Sequence, residues 1–524
     1  MPREDAHVIF GREYPRRYDA IVIGAGVGGL VLANLLGRDG LKVLVLEKHY
    51  MLGGFCSTFR RKGFVFDAAT HFYPLLGNPE TLTGKLLRDL AIPTEWIKMD
   101  PVDQYHFPGQ EPFAVPANFA DYIGLLKARF PHQSPNIDAY FGELRRACTY
   151  GLLHYFKGIG NDFVERLERC TMLEKLNEHF TDPKLRALLM ADTPHWGGLP
   201  SRTSYIFDSM LRLSYFLGNY YPKGSSQKFA DDLGRGIESR GGKILKCAAV
   251  ESIQISGGVA RGVRIRTVSR RDPEWFEFEA PVVVSNADAL HTYRDLMGPE
   301  HCDSWILDRM QAMTPSYPCF LMHIGLRGMD PKVLAAGEGY HWSCFDPEDA
   351  IRNTFKIFIP THFDTDIAPP GCQIIIIQKL VPQRFDEITD WPAHKLKVEN
   401  WIMGQLRQIF PNIDDHIVVN LSASAMTSYR FTGNHEGAML GWEMSPEQLG
   451  SGRLPFSTPV RNLYLTGHWT QPGGGITPVI VSAQRVAKAI LTGKDDSELA
   501  GQYFGFRRPE ASPVPSSVSG ETIS

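Results

Sequence analysis

The stretch "DAIVIGAGVGGLVLANLLGRDGLKVLVLEKHYMLGGFCST", residues 19–58, decides the fold of this chain. Its apolar run "DAIVIGAG" is typical of a buried strand, and "GGLVLANLLGRDG" has the spacing of a helix that ends at a glycine. The run "KVLVLEK" is typical of a second buried strand. A strand, a helix and a strand within about thirty residues predict a βαβ unit.

The turn between the first strand and the helix has the glycine spacing G-x-G-x-x-G, at Gly24, Gly26 and Gly29. Gly24 permits the tight turn, Gly26 lets a diphosphate approach the backbone, and Gly29 lets the helix lie close to the sheet. Free N–H groups at the helix N-terminus would face the phosphates. Glu47 ends the second strand, 18 residues after Gly29, where a carboxylate can accept hydrogen bonds from ribose hydroxyls. The pattern predicts a dinucleotide site, and the alternative is a glycine-rich turn that serves only the fold.

The composition places the chain among soluble globular proteins. With 524 residues it is too long for one ordinary core, so we expect two or more interleaved domains. Hydrophobic residues make up 43% and charged residues 22%, which is typical of that class. The net charge of -3 gives no reason to expect a nucleic-acid partner.

The cysteines and apolar runs indicate a cytoplasmic setting. The eight cysteines are scattered without a CxxC pair, which favours reduced, packed thiols over a disulfide or zinc framework. No apolar run reaches the roughly 18–20 residues that a membrane span needs, although a peripheral membrane contact stays open. No metal-binding, hydrolase or P-loop motif occurs, so we predict no metal site.

Six stretches of the chain resemble one protein family. "LEKHYMLGGFCSTF" (46–59) and "GFVFDAATHFY" (63–73) resemble flavin-adjacent elements of the FAD-dependent amine oxidase superfamily, in which Asp67 would end a strand beside the flavin. "YYPKGSSQKFADDLGRGIESRGGKI" (220–244), "VVVSNADAL" (282–290) and "PTHFDTDIAPPG" (360–371) resemble its carotenoid branch, with Ser225 in place of a glycine. "LYLTGHWTQPGGGITPVIVSAQRVAKAI" (463–490) resembles the terminal flavin motif. The chain is identified as a member of the phytoene desaturase, carotenoid cis-trans isomerase and retinol saturase group.

This resemblance implies an α/β fold of two parts. A Rossmann-like FAD-binding domain, with the βαβ unit and a β-meander, would be discontinuous and comprise residues 1–78, 224–300 and 455–495. The substrate domain would combine a helical insert or lid at 79–223 with a mixed sheet at 301–454. Residues 1–17 are expected to form a short lead-in, and residues 507–524 lack apolar content and are expected to be a disordered tail.

The resemblance also implies the FAD contacts. The diphosphate and ribose would lie against the first turn and the end of the second strand, and the isoalloxazine against a late turn whose helix N-terminus stabilises negative charge on the reduced ring. The predicted cofactor-binding residues are Gly24, Gly26, Gly28, Gly29, Glu47, Lys48, Gly53, Gly54, Ser57, Val250, Gly467, Gly474, Gly475 and Ile476.

Two histidines lie inside the flavin-adjacent motifs. His71 and His468 are the candidate catalytic residues, because histidine titrates near neutrality and can move protons. The alternative for each is a hydrogen-bonded structural histidine. The stretches at 151–160 and 203–224 are rich in apolar and aromatic residues, which fits a substrate tunnel, a membrane contact or a buried core helix.

By resemblance, the protein would be an FAD-dependent oxidoreductase that acts on carbon–carbon bonds of a long apolar isoprenoid or polyene lipid. A desaturase, a saturase and an isomerase all fit, and hydride would be exchanged with flavin N5. Oxygen or a quinone would serve as electron acceptor. The alternatives are a flavin amine oxidase and a non-catalytic lipid-binding escort of the GDP-dissociation-inhibitor type.

Overall fold

A computed structural model describes residues 5–269, 272–382, 384–494 and 506. The predicted tail, 507–524, lies outside these residues. The strands in chain order are β1 (Ala6–Ile9), β2 (Arg12–Pro15), β3 (Ala20–Ile23), β4 (Val43–Glu47), β5 (Thr58–Arg61), β6 (Phe64–Asp67), β7 (Trp96–Lys98), β8 (Asp103–His106), β9 (Phe113–Val115), β10 (Tyr220–Pro222), β11 (Lys243–Lys246), β12 (Ala248–Ser256), β13 (Val259–Thr267), β14 (Trp275–Glu279), β15 (Val282–Ser285), β16 (Cys319–Arg327), β17 (Gly339–His341), β18 (Phe355–Phe358), β19 (Cys372–Leu380), β20 (Ile417–Ala423) and β21 (Leu463–Leu465).

The α-helices lie between these strands and are numbered in the same way. They are α1 (Val27–Arg38), α2 (Leu82–Asp89), α3 (Phe119–Arg129), α4 (Ser134–Gly151), α5 (Asp162–Leu167), α6 (Met172–His179), α7 (Pro183–Leu189), α8 (Tyr205–Phe216), α9 (Ser226–Ser239), α10 (Ala289–His291), α11 (Ser304–Ala312), α12 (Pro331–Ala336), α13 (Asp349–Arg352), α14 (Trp391–Ile409), α15 (Ile413–His416), α16 (Ala425–Thr432) and α17 (Ile476–Thr492). None of the helices in the described parts of the chain combines the length and apolarity that crossing a bilayer requires.

A parallel sheet with strand order β11-β4-β3-β15-β21 forms the centre of the first layer. Every residue of β3 and β4 is buried, as expected for parallel strands that are covered on both faces. Helices α1, α9 and α17 pack together on one face, and the antiparallel sheet β12-β13-β14 covers the other. The predicted βαβ unit and β-meander are confirmed, and β15 then returns the chain to the centre of the parallel sheet.

A mixed sheet with strand order β20-β16-β19-β18-β17-β8-β9 forms the second layer. Eight of the nine residues of its long strand β16 are buried. Helix α14 packs on one face of the sheet, while helices α4 and α8 contribute to the core on the other. The prediction of a mixed-sheet part beside helices is therefore confirmed. Strands β8 and β9 were not predicted, because they lie in the stretch where helical spacing dominates.

The N-terminal segment differs from the expected lead-in. Residues 5–17 contain the antiparallel hairpin β1–β2, and Ile9 and Tyr14 pack into the core beneath the parallel sheet. Because this segment is polar overall, its sequence did not reveal that Ile9 and Tyr14 face inward. The domain boundaries derived from the sequence stay a prediction.

Hydrogen bonds between three of the resemblance motifs join the two layers. The buried Asp67 carboxylate accepts from the Tyr221 hydroxyl at 2.6 Å and from the Ser226 N–H at 2.8 Å. The Asp364 carboxylate accepts from the Gly224 N–H at 2.6 Å. The stretch 220–226 is thus held from both sides, once by β6 and once by the loop before β19.

Ser225 lies at the centre of this stretch, where the family resemblance expects glycine. Its φ of 90° and ψ of 168° belong to a region that is populated almost only by glycine. The Ser225 side chain is buried and does not cap α9. This residue therefore carries backbone strain of about 1–3 kcal/mol.

The strain predicts that Ser225→Gly raises the free energy of unfolding by about 1 kcal/mol. Ser239→Gly is the matched control, because it makes the same change at the other end of α9 and should lower stability by about 0.5–1 kcal/mol. Thermal or denaturant unfolding of both variants tests this. A loss of stability in Ser225→Gly equal to that of the control would contradict the strain.

Candidate functional site

One cavity of about 1170 Å³ brings the predicted site residues together. It exceeds the roughly 300–1,000 Å³ of ordinary ligand pockets, so it has room for more than one ligand. The predicted residues that line it are Gly24, Gly26, Gly28, Glu47, Lys48, Gly53, Gly54, Ser57, His71, Val250, Gly467, His468, Gly474, Gly475 and Ile476.

Gly29 and Asp67 are not among the lining residues. A Cβ atom at Gly29 would collide with the Gly24 carbonyl oxygen, so this glycine is needed for the close packing of α1 on β3. The predicted packing role of Gly29 thus agrees with the structure, and its contact with the diphosphate stays a prediction. The Asp67 carboxylate faces Tyr221 and Ser226, and its place beside the flavin stays a prediction.

The first turn and the late turn of the chain meet at Asn286, the residue that follows β15. A Cβ atom at Gly28 would lie 3.3 Å from the Gly467 Cα, although 439 residues separate them in sequence. The Asn286 side chain lies between the two turns. Its Oδ1 would lie 2.5 Å from a Cβ atom at Gly467 and 2.9 Å from a Cβ atom at Gly28. Larger residues at either glycine would push the two turns apart.

The second glycine pair is hydrogen-bonded to the first turn. The Gly53 N–H donates to the Ala25 carbonyl at 2.8 Å, and Gly53 pairs with Gly26 in a parallel bridge. Gly53 has a φ of 107°, and a Cβ there would lie 2.7 Å from the Cys56 carbonyl oxygen. The two glycine motifs therefore lie side by side at the cavity, and the Asn286 side chain borders Gly26, where a Cβ would lie 2.9 Å from its Nδ2.

Glu47 is fixed by two backbone donors at one end of the cavity. Its carboxylate accepts from the Ala25 and His49 N–H groups, both at 2.8 Å. Burial raises the pKa of Glu47, and these two hydrogen bonds act in the opposite direction. Two donors leave lone pairs of the carboxylate for a ligand in the cavity. Val250, on β12, lines the same end of the cavity.

The late turn begins α17 at the other end of the cavity. Gly475 is the N-cap of this helix and offers no side chain to its first N–H groups, so they are available to a ligand. Arg453 lies behind the turn and donates to the backbone carbonyls of Gln448, Trp442 and Glu443 at 2.6–3.1 Å. Burial lowers the pKa of Arg453 to about 9, which keeps it charged at neutral pH.

The two predicted catalytic histidines are neutral at physiological pH. Burial, assisted by the Lys356 ammonium, lowers the pKa of His71 to about 3. Burial, assisted by the Arg453 guanidinium, lowers the pKa of His468 to about 3. Each imidazole has one hydrogen bond, from His71 Nδ1 to the Ala69 carbonyl at 2.9 Å and from His468 Nε2 to Asn434 Oδ1 at 3.3 Å. A pKa so far below neutrality favours orientation of a ligand over proton transfer.

An apolar chamber continues the cavity beside the late turn. A Cβ at Gly474 would lie 2.6 Å from the Leu440 Cβ, and the Thr477 hydroxyl donates to the Pro74 carbonyl at 3.2 Å. Both contacts join the start of α17 to the chamber wall. We define the apolar chamber by the lining residues Leu152, Tyr155, Phe156, Phe207, Met210, Leu211, Leu321, Leu421, Met439 and Leu440.

Sequence reasoning missed three polar residues of this chamber, His195, Trp196 and Tyr215. His195 and Trp196 lie in a short 3₁₀ turn after α7, and Tyr215 lies on α8. No local pattern marks them, although the apolar stretch 203–224 that contains Tyr215 was a candidate tunnel wall. Six residues of that stretch, Phe207, Met210, Leu211, Ser214, Tyr215 and Leu217, line the cavity.

Comparison with known proteins identifies the family. Residues 27–491 match the family described as flavin containing amine oxidoreductase. The chain belongs to this family. It is an oxidoreductase, and its cofactor is FAD.

Members of the phytoene desaturase group are among its relatives. The chain is 27% identical to rat all-trans-retinol 13,14-reductase, over 86% of this chain and 82% of that protein. It is 26% identical to zeta-carotene-forming phytoene desaturase of Myxococcus xanthus, over 90% of this chain and 93% of that protein. It is 27% identical to the chloroplastic prolycopene isomerase of Arabidopsis thaliana, over 90% of this chain and 83% of that protein. The resemblance seen in the sequence motifs is confirmed.

Solved structures agree on the fold. An oxidoreductase from Methanosarcina mazei superposes with a TM-score of 0.62 at 18% identity, covering 90% of this chain and 99% of the other. Putrescine oxidase bound to putrescine superposes with a TM-score of 0.62 at 14% identity, covering 91% and 99%. The predicted fold class is confirmed.

The cavity suits FAD along its whole length. It runs from the Glu47 carboxylate past the bare backbone of Gly26 and Gly53 to the open N-terminus of α17. Glu47 offers an acceptor to a ribose, the glycine turns let a diphosphate approach the backbone, and the start of α17 offers a partial positive charge to the flavin pyrimidine edge. These features follow one another in the order in which FAD presents the three groups. The assignment of individual FAD contacts to these residues is our proposal.

We expect Gly26→Val to abolish the retention of stoichiometric FAD, because the valine would displace the Asn286 side chain, whose Nδ2 lies 2.9 Å from the Cβ position, and would narrow the space where the diphosphate approaches the backbone. Gly124→Val is the control, since Gly124 is exposed on α3 with no atom within 4 Å of its Cβ position. Flavin absorbance after gel filtration measures the retention. Full flavin content in a folded Gly26→Val protein would contradict the diphosphate site.

Proposed function

We propose that this protein binds a long apolar isoprenoid or polyene lipid and exchanges hydride between a carbon–carbon bond of that lipid and FAD. The observation that carries the proposal is the apolar chamber, which continues directly from the flavin part of the cavity. Bound FAD supplies the redox chemistry through its N5 atom. The chamber supplies a dry surface that holds an extended hydrocarbon against the ring.

The electrostatics of the chamber favour a hydrocarbon over an amine. None of the described lining residues in the ranges 51–75 and 148–217 is acidic. A protonated amine placed there would be buried without a counter-charge, which costs several kcal/mol. Apolar surface, in contrast, gains about 25 cal/mol per Å² on transfer from water. This favours a polyene oxidoreductase over the alternative of an amine oxidase.

The open glycine surfaces favour an enzyme over a lipid-binding escort. Gly26 and Gly475 line the flavin part of the cavity without a side chain, and the first N–H groups of the helix after Gly475 have no side-chain cap. A protein that only carried lipids would have no use for this surface. The neutral His71 and His468 then serve to orient ligands, and a proton lost from a substrate would pass to water.

The relatives differ in the direction of their reactions, as their names of reductase, desaturase and isomerase state. For the desaturase direction, we infer that electrons leave to oxygen or to a quinone. We also infer a peripheral membrane contact, since the exposed Leu217 lines the cavity and the exposed Leu153 follows the lining residue Leu152.

Anaerobic incubation of the FAD-loaded protein with a panel of C20–C40 polyenes tests the proposed function. With oxidised FAD, we expect a desaturase to yield a product that has lost two hydrogens. With FAD first reduced by dithionite, we expect a saturase to yield a product with two more hydrogens and an isomerase to yield one of unchanged mass. Flavin bleaching should accompany desaturation. Incubation with primary amines and diamines under air is the counter-test. Peroxide release from amines, with every polyene unchanged, would contradict the proposal.

A further inference from the structure

Asn434 joins the late turn to the segment that follows α16. Its Oδ1 accepts a hydrogen bond from the Trp469 indole N–H at 3.2 Å and lies 3.3 Å from His468 Nε2. Its Nδ2 donates to the Ala438 carbonyl at 3.3 Å. The Asn434 side chain is buried, and the residue lines the cavity. A single oxygen atom of Asn434 therefore contacts two consecutive residues of the late turn.

These contacts decide which nitrogen of His468 carries the proton. An indole N–H can only donate and a carbonyl can only accept, so one orientation of the Asn434 amide satisfies both Trp469 and Ala438. In that orientation an oxygen, which can only accept, faces His468 Nε2. Burial, assisted by the Arg453 guanidinium, lowers the pKa of His468 to about 3, so the imidazole is neutral and has one N–H group. The proton is therefore on Nε2, and Nδ1 carries a lone pair.

The Nδ1 atom of His468 is open to the cavity. His468 lines the cavity, and its Nδ1 has no hydrogen bond to any described residue but does not belong to the enclosed side-chain atoms that lack a partner. The residue directly follows Gly467, whose Cα lies 3.3 Å from the Cβ position of Gly28, and it precedes Gly475 at the start of α17. We expect the diphosphate at the first turn and the flavin ring at α17, and the ribityl chain of FAD joins these two groups. His468 therefore faces the space for the ribityl chain.

We propose that His468 Nδ1 accepts a hydrogen bond from a ribityl hydroxyl of FAD, and that Asn434 is the positioning residue that keeps this nitrogen unprotonated. Each ribityl hydroxyl can donate one hydrogen bond, and Nδ1 with its lone pair can accept it. The opposite tautomer would place the Nε2 lone pair against the Asn434 oxygen, which repels it. This inference goes beyond the proposed function, because it concerns the cofactor and holds whichever lipid is the substrate.

The backbone around Asn434 is held in place, as a positioning residue requires. The Asn434 N–H donates to the Thr432 hydroxyl at 3.1 Å, and the Gly437 N–H donates to the Asn434 carbonyl at 2.9 Å. The His435 N–H donates to the buried Asp288 carboxylate at 2.7 Å. Because Asp288 follows β15 closely, this last bond fixes the segment to the edge of the parallel sheet at which the late turn also lies.

Nitrogen-15 NMR of the FAD-loaded protein, labelled at its histidines, tests the tautomer. The His468 signals are those that disappear in His468→Phe. In the wild type we expect the proton on Nε2 and none on Nδ1. In Asn434→Leu, which offers no acceptor, we expect both tautomers to be populated. A proton on Nδ1 in the wild type would overturn the inference, and an unchanged tautomer in Asn434→Leu would overturn the role of Asn434.

Displacement of bound FAD by analogues that each lack one ribityl hydroxyl tests the hydrogen bond itself. We expect one analogue to bind the wild type about tenfold more weakly than FAD does, because it leaves Nδ1 without its donor. His468→Phe should bind that analogue as tightly as it binds FAD, and Asn434→Leu should lose most of the discrimination. Equal affinity of the wild type for FAD and for every analogue would overturn the inference and leave the proposed function intact.

Asn219→Leu is the matched control for the loss of a buried asparagine. Asn219 is fully buried but does not line the cavity. The control should keep both the His468 tautomer and the tenfold discrimination of the wild type. If it lost them to the same extent as Asn434→Leu, the effect would come from a general loosening of the fold, and the assignment to Asn434 would be wrong.

Discussion

The close approach of two glycine turns, Gly28 from the start of the chain and Gly467 from near its end, is the constraint on which the structure depends. Asn286 fits between them and leaves no room for a Cβ atom at either glycine. This contact exists because β15 lies between β3 and β21, so all three strands end at one edge of the parallel sheet. The two turns can therefore hold one elongated cofactor between their helix N-termini.

The second layer extends the site from this edge. The hydrogen bonds of Asp67 and Asp364 hold residues 220–226 against β6 and against the loop before β19. The mixed sheet and helices α4 and α8 then enclose the apolar chamber. The family membership supplies the flavin chemistry, and the apolar side chains of the chamber wall favour a long hydrocarbon substrate.

Sequence reasoning succeeded where burial is uniform or where a backbone surface must stay bare. Strands β3 and β4 are buried throughout, so their apolar runs were unambiguous. Glycine spacing marked both turns, because no other residue fits there. It failed for β8 and β9, which are short, and it did not show that the partners of Asp67 lie more than 150 residues away. His195 and Tyr215 escaped notice because only the fold brings them together.

Hydrogen–deuterium exchange with and without FAD tests the central claim most directly, since it reports on both turns in one experiment. The account predicts that FAD slows amide exchange at the start of α1, in peptides covering residues 24–31, and equally at the late turn, in peptides covering residues 467–480. Protection of only one of these two segments, with the protein folded and FAD bound, would contradict it.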